Sequence, residues 1–266
     1  MRHRELEVAV AAARAGGRAV LDSRRRLEIA RKDDDRANIV TSADLASQAA
    51  VTAVITEAFP RHAIVGEEGT AGSTGSDEVW YVDPLDGTTN YVHGVPFWCV
   101  SVALHRPDGV VCGAVCDPLR DEVYAALRGG GATCNDVPLS VSVVDRLDRA
   151  LLVAMAQSDD PAVIHEYVVL YERLLNVARG VRHLGSPALA LCLVAAGRLE
   201  AYVERYMDPW DILAGKVILE EAGGTLTRFD GTPLDVPQLA DIVASNGPLH
   251  DQLLVALHAS TDKEAT

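Results

Sequence analysis

The sequence predicts an α/β protein, an α+β layered sandwich of alternating helix and sheet layers. Three observations predict it. Apolar residues recur at helical spacing between Glu5 and Pro60, short β-branched or aromatic runs crowd the stretch from Ala63 to Leu127, and strand-like and helix-like segments alternate beyond Gly131. With 266 residues, 48% of them hydrophobic, the chain can bury a substantial core and reads as a single compact unit over 1–266.

Taken in order, Leu6, Val10, Ala13 and Val20 recur at helical spacing from Glu5 to about Leu27, ending in the charge run Arg24 to Arg26. Lys32 to Arg36 reads as a loop. A second helix, N-capped by Ser42, runs through Leu45, Ala49 and Val54 until Phe59-Pro60 closes it. Strands follow at Ala63–Val65, Glu78–Val82, Phe97–Leu104, Val110–Val115 and Glu122–Leu127, each bounded by Gly, Pro or Asp. Ala71 to Ser76, rich in Gly, Ser and Thr, reads as a mobile surface loop. After the Gly129-Gly130-Gly131 turn, strands at Ala150–Met155, Leu199–Val203, Gly224–Thr227 and Ile242–Ser245 alternate with helices at Ala162–Ala178, Pro187–Ala196, Pro209–Glu221 and Pro248–Leu257. Pro209 and Pro248 suit a first helical turn, Gly223-Gly224 supplies a stop, and Asp262 to Thr266 reads as a frayed tail.

The net charge of −14 disfavours nucleic acid and anionic membranes as partners, because both would be repelled over most of the surface. An anionic substrate then needs a local exception, which metal ions held by clustered carboxylates supply. Five cysteines, spread out and without a CxxC pair, argue against a disulfide framework or a zinc site. Arg2 and Arg4 precede an apolar stretch that Glu5, Glu7 and Arg14 interrupt, so no secretory or membrane-spanning segment is read there, and the cytoplasm is the expected location.

The chemistry concentrates in three short segments. In Trp80-Tyr81-Val82-Asp83-Pro84-Leu85-Asp86-Gly87-Thr88-Thr89-Asn90 an apolar strand runs into two carboxylates. Pro84 is expected to stop the ladder, letting Asp83 and Asp86 converge on one cation while the Leu85 carbonyl is freed as a further hard oxygen ligand. A helix starting here would turn the Gly87, Thr88 and Thr89 N–H groups into an anion cradle. Alone, this is a common turn sequence. It keeps company with Gly66-Glu67-Glu68 at the end of another predicted strand, and with Asp208-Pro209-Trp210-Asp211, which puts Asp211 in the first turn of a helix.

Together these segments resemble the GEE, DPxDGTxN and WDxAAG-like signatures of the inositol monophosphatase family, Mg²⁺-dependent and lithium-sensitive phosphatases. The resemblance runs from about Ile39 to Gly224 and includes Val40-Thr41-Ser42-Ala43-Asp44. It implies an N-terminal α+β half (1–145) and a C-terminal α/β half (146–266) with the site between them. It also implies one Mg²⁺ on Glu67, Asp83 and the Leu85 carbonyl, a second on Asp83, Asp86 and Asp211, and room for a third near Glu67. Asp44 and Thr88 would orient the attacking water, with Glu67 as a further catalytic group and Gly87 and Thr88 holding phosphate. Asp86, Gly185, Ser186, Pro187 and Glu204 would contact substrate. The implied substrate is a small phosphorylated cyclitol, sugar or alcohol, inositol 1-phosphate first, with histidinol phosphate, fructose 1,6-bisphosphate and 3′-phosphoadenosine 5′-phosphate as competitors; a homodimer is implied too. Lys32 matches the family's lysine only with a small gap, ungapped alignment placing Asp33 there, and neither Lys32 nor His183 is assigned a role. His93 and Cys99 lack a partner base and are read as structural. A noncatalytic binding protein that keeps the fold is the competing class, and lost carboxylates would be its signature.

Overall fold

The computed structural model describes residues 2–24, 28–32, 39–73, 75–156, 158–234 and 238–258. Helix α1 (Arg2–Ser23) ends before the expected Leu27; residues 25–27 of that expected helix, residues 33–36 of the expected loop, Asp33 among them, and the expected tail lie outside the described residues. A two-stranded ribbon, β1 (Ile29–Arg31) with β2 (Ile39–Thr41), leads into α2 (Ser42–Ala58). The α2 cap is Thr41, one residue before the expected Ser42. Its Oγ1 accepts from the Ala43 N–H at 3.1 Å, while its own N–H donates to Asp44 Oδ2 at 2.8 Å. The buried face of α2 carries Ala43, Ser47, Val51 and Ile55, and Leu45 points outward, 56% exposed. A helix with apolar residues on both of its sides does not declare its inward face, and the small residues decide it. A β-carbon on Gly16 of α1 would meet Ser47 Oγ at 2.7 Å, so the two helices touch there.

Next come β3 (Ala63–Gly66), β4 (Gly69–Gly72), β5 (Val79–Asp86), α3 (Thr88–His93), β6 (Cys99–Arg106), β7 (Gly109–Asp117), β8 (Glu122–Leu127), β9 (Gly131–Cys134) and β10 (Val137–Pro138). They form an eight-stranded sheet in the order β10-β9-β8-β7-β6-β5-β3-β4, antiparallel except for β3 beside β5. Residues 69–72, partly within the expected loop, thus form an edge strand. The second half supplies β11 (Leu151–Met155), α4 (Pro161–Val177), β12 (Gly180–Arg182), α5 (Pro187–Ala195), β13 (Ala201–Met207), α6 (Pro209–Glu221), β14 (Thr225–Arg228), β15 (Ala240–Ser245) and α7 (His250–His258). Its five-stranded sheet runs β12-β11-β13-β15-β14. Pro248 falls before α7, in a turn where Asn246 Oδ1 accepts from the Leu249 N–H at 3.3 Å.

The layers stack helix, sheet, helix, sheet, helix. Helices α1 and α2 cover one face of the large sheet over Val51, Ile55, Trp80, Val100 and Leu104. Helices α5 and α6 lie between the two sheets, and α4 and α7 close the far face of the small one. This explains the sequence of α5, apolar all round from Ala188 to Cys192: a helix with sheets on both sides has no wet face. None of the described helices is long and apolar enough to cross a membrane.

The contact of α6 with the large sheet depends on Gly113 in β7. A β-carbon there would lie 2.8 Å from Ala214 Cα and 3.0 Å from Ala214 O, backbone atoms that cannot rotate aside. Gly113→Val is expected to lower stability by about 1–3 kcal/mol; chemical denaturation checks this, and an unchanged midpoint would mean that the layers do not meet there.

Candidate active site

Each acidic side chain reaches the site because an element ends or starts there. The Glu67 N–H donates to Val82 O at 3.1 Å, tying the exit of β3 to β5. Strand β5 does not stop at Pro84 as expected: it continues to Asp86 through a bulge. Asp83 pairs with Ser101 and Asp86 with Cys99, three residues against two, so the extra residue turns both carboxylates into the same space. Gly87 then takes φ 94°, where a β-carbon would lie 2.9 Å from Gly185 O, and α3 starts at Thr88. Asp211 sits in the first turn of α6, its Oδ2 accepting from the Asp208 N–H at 3.1 Å.

These ends open into a cavity of about 500 Å³ whose lining includes Glu67, Asp83, Leu85, Asp86, Gly87, Thr88, Gly185, Pro187, Glu204 and Asp211. Of the residues singled out in the sequence, two stand behind the wall. Asp44 is buried and reached through Thr88, whose hydroxyl lies 3.0 Å from Asp44 Oδ1 and 2.9 Å from Leu85 O. Ser186, expected to contact substrate, is instead fully buried, and its hydroxyl donates to Asp86 Oδ2 at 2.7 Å, so it positions a site carboxylate and does not face the cavity. The Ala188 N–H donates to the same oxygen at 2.8 Å, and Cys99 Sγ lies 3.4 Å from it. Cys99, read as structural, therefore also helps to hold Asp86.

Burial pushes Asp83 well above the usual carboxylate range, and the charges of Glu67, Asp86 and Asp211 add to it. Asp211 is raised likewise, by burial and then by Glu67, Asp86 and Asp208. Asp86 is pushed up to about 7 by burial, against the hydrogen bonds from Ser186, Ala188 and Cys99. Lys32 also lines the cavity, its Nζ 2.6 Å from Glu67 Oε1 and 2.5 Å from Glu68 Oε1. Burial alone would lower the Lys32 ammonium, yet Glu67 and Glu68 together raise it. Lys32 is thus a site residue; its signal in the sequence is its position ahead of the Val40–Asp44 segment.

No three acidic, His or Cys side chains among the described residues are drawn into a finished metal cage. One oxygen of each aspartate is committed locally, Asp83 Oδ1 to the Leu85 N–H at 2.9 Å, Asp86 Oδ2 to its three donors and Asp211 Oδ2 to Asp208, while Glu67 is drawn to Lys32. The donor set nevertheless fits a hard divalent cation: all oxygen, several carboxylates around one cavity, with burial and then the charge of Glu67 raising Asp83, Asp86 and Asp211.

Carboxylates at two strand exits and a helix start, gathered in a cavity of a five-layered α/β sandwich, define a protein with an oxygen-donor site for hard cations. The chain belongs to the inositol monophosphatase family, whose family model matches residues 1–262 and whose phosphatases are phosphoric monoester hydrolases. It is similar to an inositol-1-monophosphatase of Synechocystis (37% identical, covering 96% of this chain and 89% of the relative). It is also similar to a protein of Pseudomonas aeruginosa called Nus factor SuhB (36%, covering 95% of each). The structure of an inositol monophosphatase from Anabaena (Nostoc) superposes with a TM-score of 0.85 at 38% identity, over 96% of this chain and 95% of that one.

Glu204, on the opposite wall, accepts a hydrogen bond from the Tyr202 hydroxyl and is pushed up to about 8 by burial, Asp86 adding to the effect and Tyr202 opposing it. Between its ordinary value of 4.5 and about 8 the folded protein keeps a proton that the unfolded chain has released, so stability falls as pH rises through that window. Glu204→Gln is expected to flatten the stability–pH curve there, measured by denaturant midpoints; a slope equal to that of the parent protein would contradict this reading of Glu204.

Proposed function

We propose that the protein hydrolyses a small phosphate monoester, inositol 1-phosphate first among the candidates, with Mg²⁺ held by Glu67, Asp83, Asp86, Asp211 and the Leu85 carbonyl. The observation that carries this is the convergence of Glu67, Asp83, Asp86 and Asp211 on one cavity, where burial first and neighbouring charge second disfavour the ionised forms of the three aspartates without a cation. Two ions, with a third near Glu67, belong to this reading, with water completing their coordination. When bound, Mg²⁺ supplies positive charge that screens phosphate oxygens and lowers the pKa of water.

The remaining roles follow from the chain's own groups. The Thr88 hydroxyl has one proton and two acceptors within reach, Asp44 and the Leu85 carbonyl. With the Leu85 carbonyl engaged elsewhere, that proton goes to Asp44, and the Thr88 oxygen is left to accept from the attacking water and orient it. Gly87 leaves room for a phosphate oxygen against the backbone. Asp86 and Glu204 offer acceptors to hydroxyls of the leaving alcohol, while Gly185 and Pro187 shape the wall beside them. Since Pro187 has no N–H and the Ala188 N–H is committed to Asp86, the recognition at this wall falls to the carboxylates. Lithium sensitivity, a homodimer and action in the cytoplasm belong to the same reading.

A second reading, a binding protein that acts through a macromolecular partner, is favoured by the similarity to a protein called a Nus factor. All the expected carboxylates are present here, and a net charge of −14 works against direct contact with RNA, so hydrolysis leads.

Phosphate release with Mg²⁺ from inositol 1-phosphate, histidinol phosphate, fructose 1,6-bisphosphate and 3′-phosphoadenosine 5′-phosphate, each with and without chelator, tests the proposal. One dominant, chelator-sensitive substrate is expected, and Asp83→Asn or Asp211→Asn is expected to lower its turnover by more than about a hundredfold. Silence across the panel from folded protein, or variants with near-parental rates, would overturn it.

A further inference from the structure

Strand β13 carries a backbone feature that the chemistry above does not use. Tyr206 has φ 60°, in the left-handed region that residues bearing a β-carbon avoid. It sits in a bulge: Glu204 pairs with Ile242 and Met207 with Ala240, three residues against two. In an unbroken strand Glu204 and Met207 would face opposite sides. The bulge puts both on the cavity side, where the Tyr202 hydroxyl reaches Glu204 Oε2 and lies 3.8 Å from Met207 Sδ. Glycine would make this bulge without strain, so the bulge does not explain the tyrosine.

The surroundings of the side chain do. Tyr206 lines the cavity and is 46% exposed, so it belongs to the part of the wall that meets solvent. Its hydroxyl donates to Glu166 Oε2 of α4 at 3.0 Å, and its N–H donates to Asp241 Oδ1 of β15 at 3.0 Å. Arg205 braces both acids, 3.4 Å from Glu166 Oε2 and 3.3 Å from Asp241 Oδ2, with its guanidinium over the Phe229 ring at 4.9 Å. Helix α4 forms the facing wall through Val163, Tyr167 and Leu170. The Tyr206 side chain therefore spans from the strand that carries Glu204 to the helix opposite, at the exposed side of the cavity.

We propose that Tyr206 is a specificity-determining residue, a lip joining β13 to α4 that restricts the site to phosphate esters of one compact alcohol and disfavours nucleoside-sized ones. This rests on the phosphatase reading. An alcohol of single-ring size fits between the carboxylates and the lip with its hydroxyls toward Asp86 and Glu204. A larger group has to leave through the opening that the ring and its bond to Glu166 narrow.

The test compares the parent with Tyr206→Gly and Tyr206→Asn, two residues that accept a left-handed backbone, and with Tyr206→Phe, which keeps the ring. The measured quantity is the ratio of kcat/KM for 3′-phosphoadenosine 5′-phosphate to that for inositol 1-phosphate, together with the melting temperature. In the Gly and Asn variants the ratio is expected to rise on the order of tenfold or more, through a lower KM for the larger ester, with no loss of melting temperature in Tyr206→Gly; Tyr206→Phe should stay nearer the parent. An unchanged ratio in Gly and Asn variants that turn both esters over would overturn the proposal and leave the phosphatase reading standing. Absence of turnover in every protein, parent included, would remove that reading and the proposal with it.

Discussion

Negative charge held out of water around one cavity is the constraint on which the rest of this molecule depends. Asp83 and Asp86 are 2% and 3% exposed, and Asp211 and Glu67 line the same cavity. The Lys32 ammonium also lines the cavity and is shared between Glu67 and Glu68. Taking a carboxylate out of water costs on the order of several kcal/mol unless it is paired and hydrogen-bonded. A fold that keeps such an arrangement must hold it rigidly against its own repulsion and must gain something by it. The raised pKa values of Asp83, Asp86 and Asp211 express the burial first and the repulsion second. A divalent cation would relieve it more completely than protonation, because one ion answers several carboxylates at once.

The layers can be understood as the device that enforces this placement. Asp83 and Asp86 leave the large sheet through a bulge, Glu204 and Met207 leave the small sheet through another, and α6 between the sheets delivers Asp211 at its first turn. Helix α5, also between the sheets, supplies the Ser186 hydroxyl and Ala188 N–H that fix one oxygen of Asp86. Glycines permit the close approaches: Gly113 lets α6 lie on β7, and Gly87 lets the chain turn beneath Gly185. Function therefore sits where irregular backbone interrupts regular elements, and the regular elements on either side give that irregularity a single form.

Much of this is legible in the sequence, and the exceptions are physical. The long elements announce themselves through periodicity, and the three acidic segments through the coincidence of carboxylates with element ends. Of the strands of two to four residues, β3 and β14 are legible, whereas β1, β2, β4, β9, β10 and β12 are too short to establish a period and are defined by their partners. The inward face of α2 is hidden because apolar residues lie on both of its sides, and contact between Gly16 and the Ser47–Val51 face makes the choice. Pro84 suggests a broken strand, whereas a bulge accommodates it. Ser186 resembles a substrate contact because its loop reaches the cavity, but the hydroxyl turns toward Asp86, the strongest acceptor within reach. Tyr206 gives no sign at all: left-handed backbone at a tyrosine becomes visible only when β13 and β15 are paired.

The most direct measurement is the melting temperature of the metal-free protein titrated with Mg²⁺, compared with the Asp86→Asn and Asp211→Asn variants. A ligand that binds the folded state alone raises its stability in proportion to RT ln(1 + [L]/Kd). The expected result is a melting temperature that climbs with Mg²⁺ in the parent and a response that is lost or strongly shifted to higher Mg²⁺ in both variants. A parent protein indifferent to Mg²⁺, or variants that respond as the parent does, would contradict the claim that these carboxylates form a cation site.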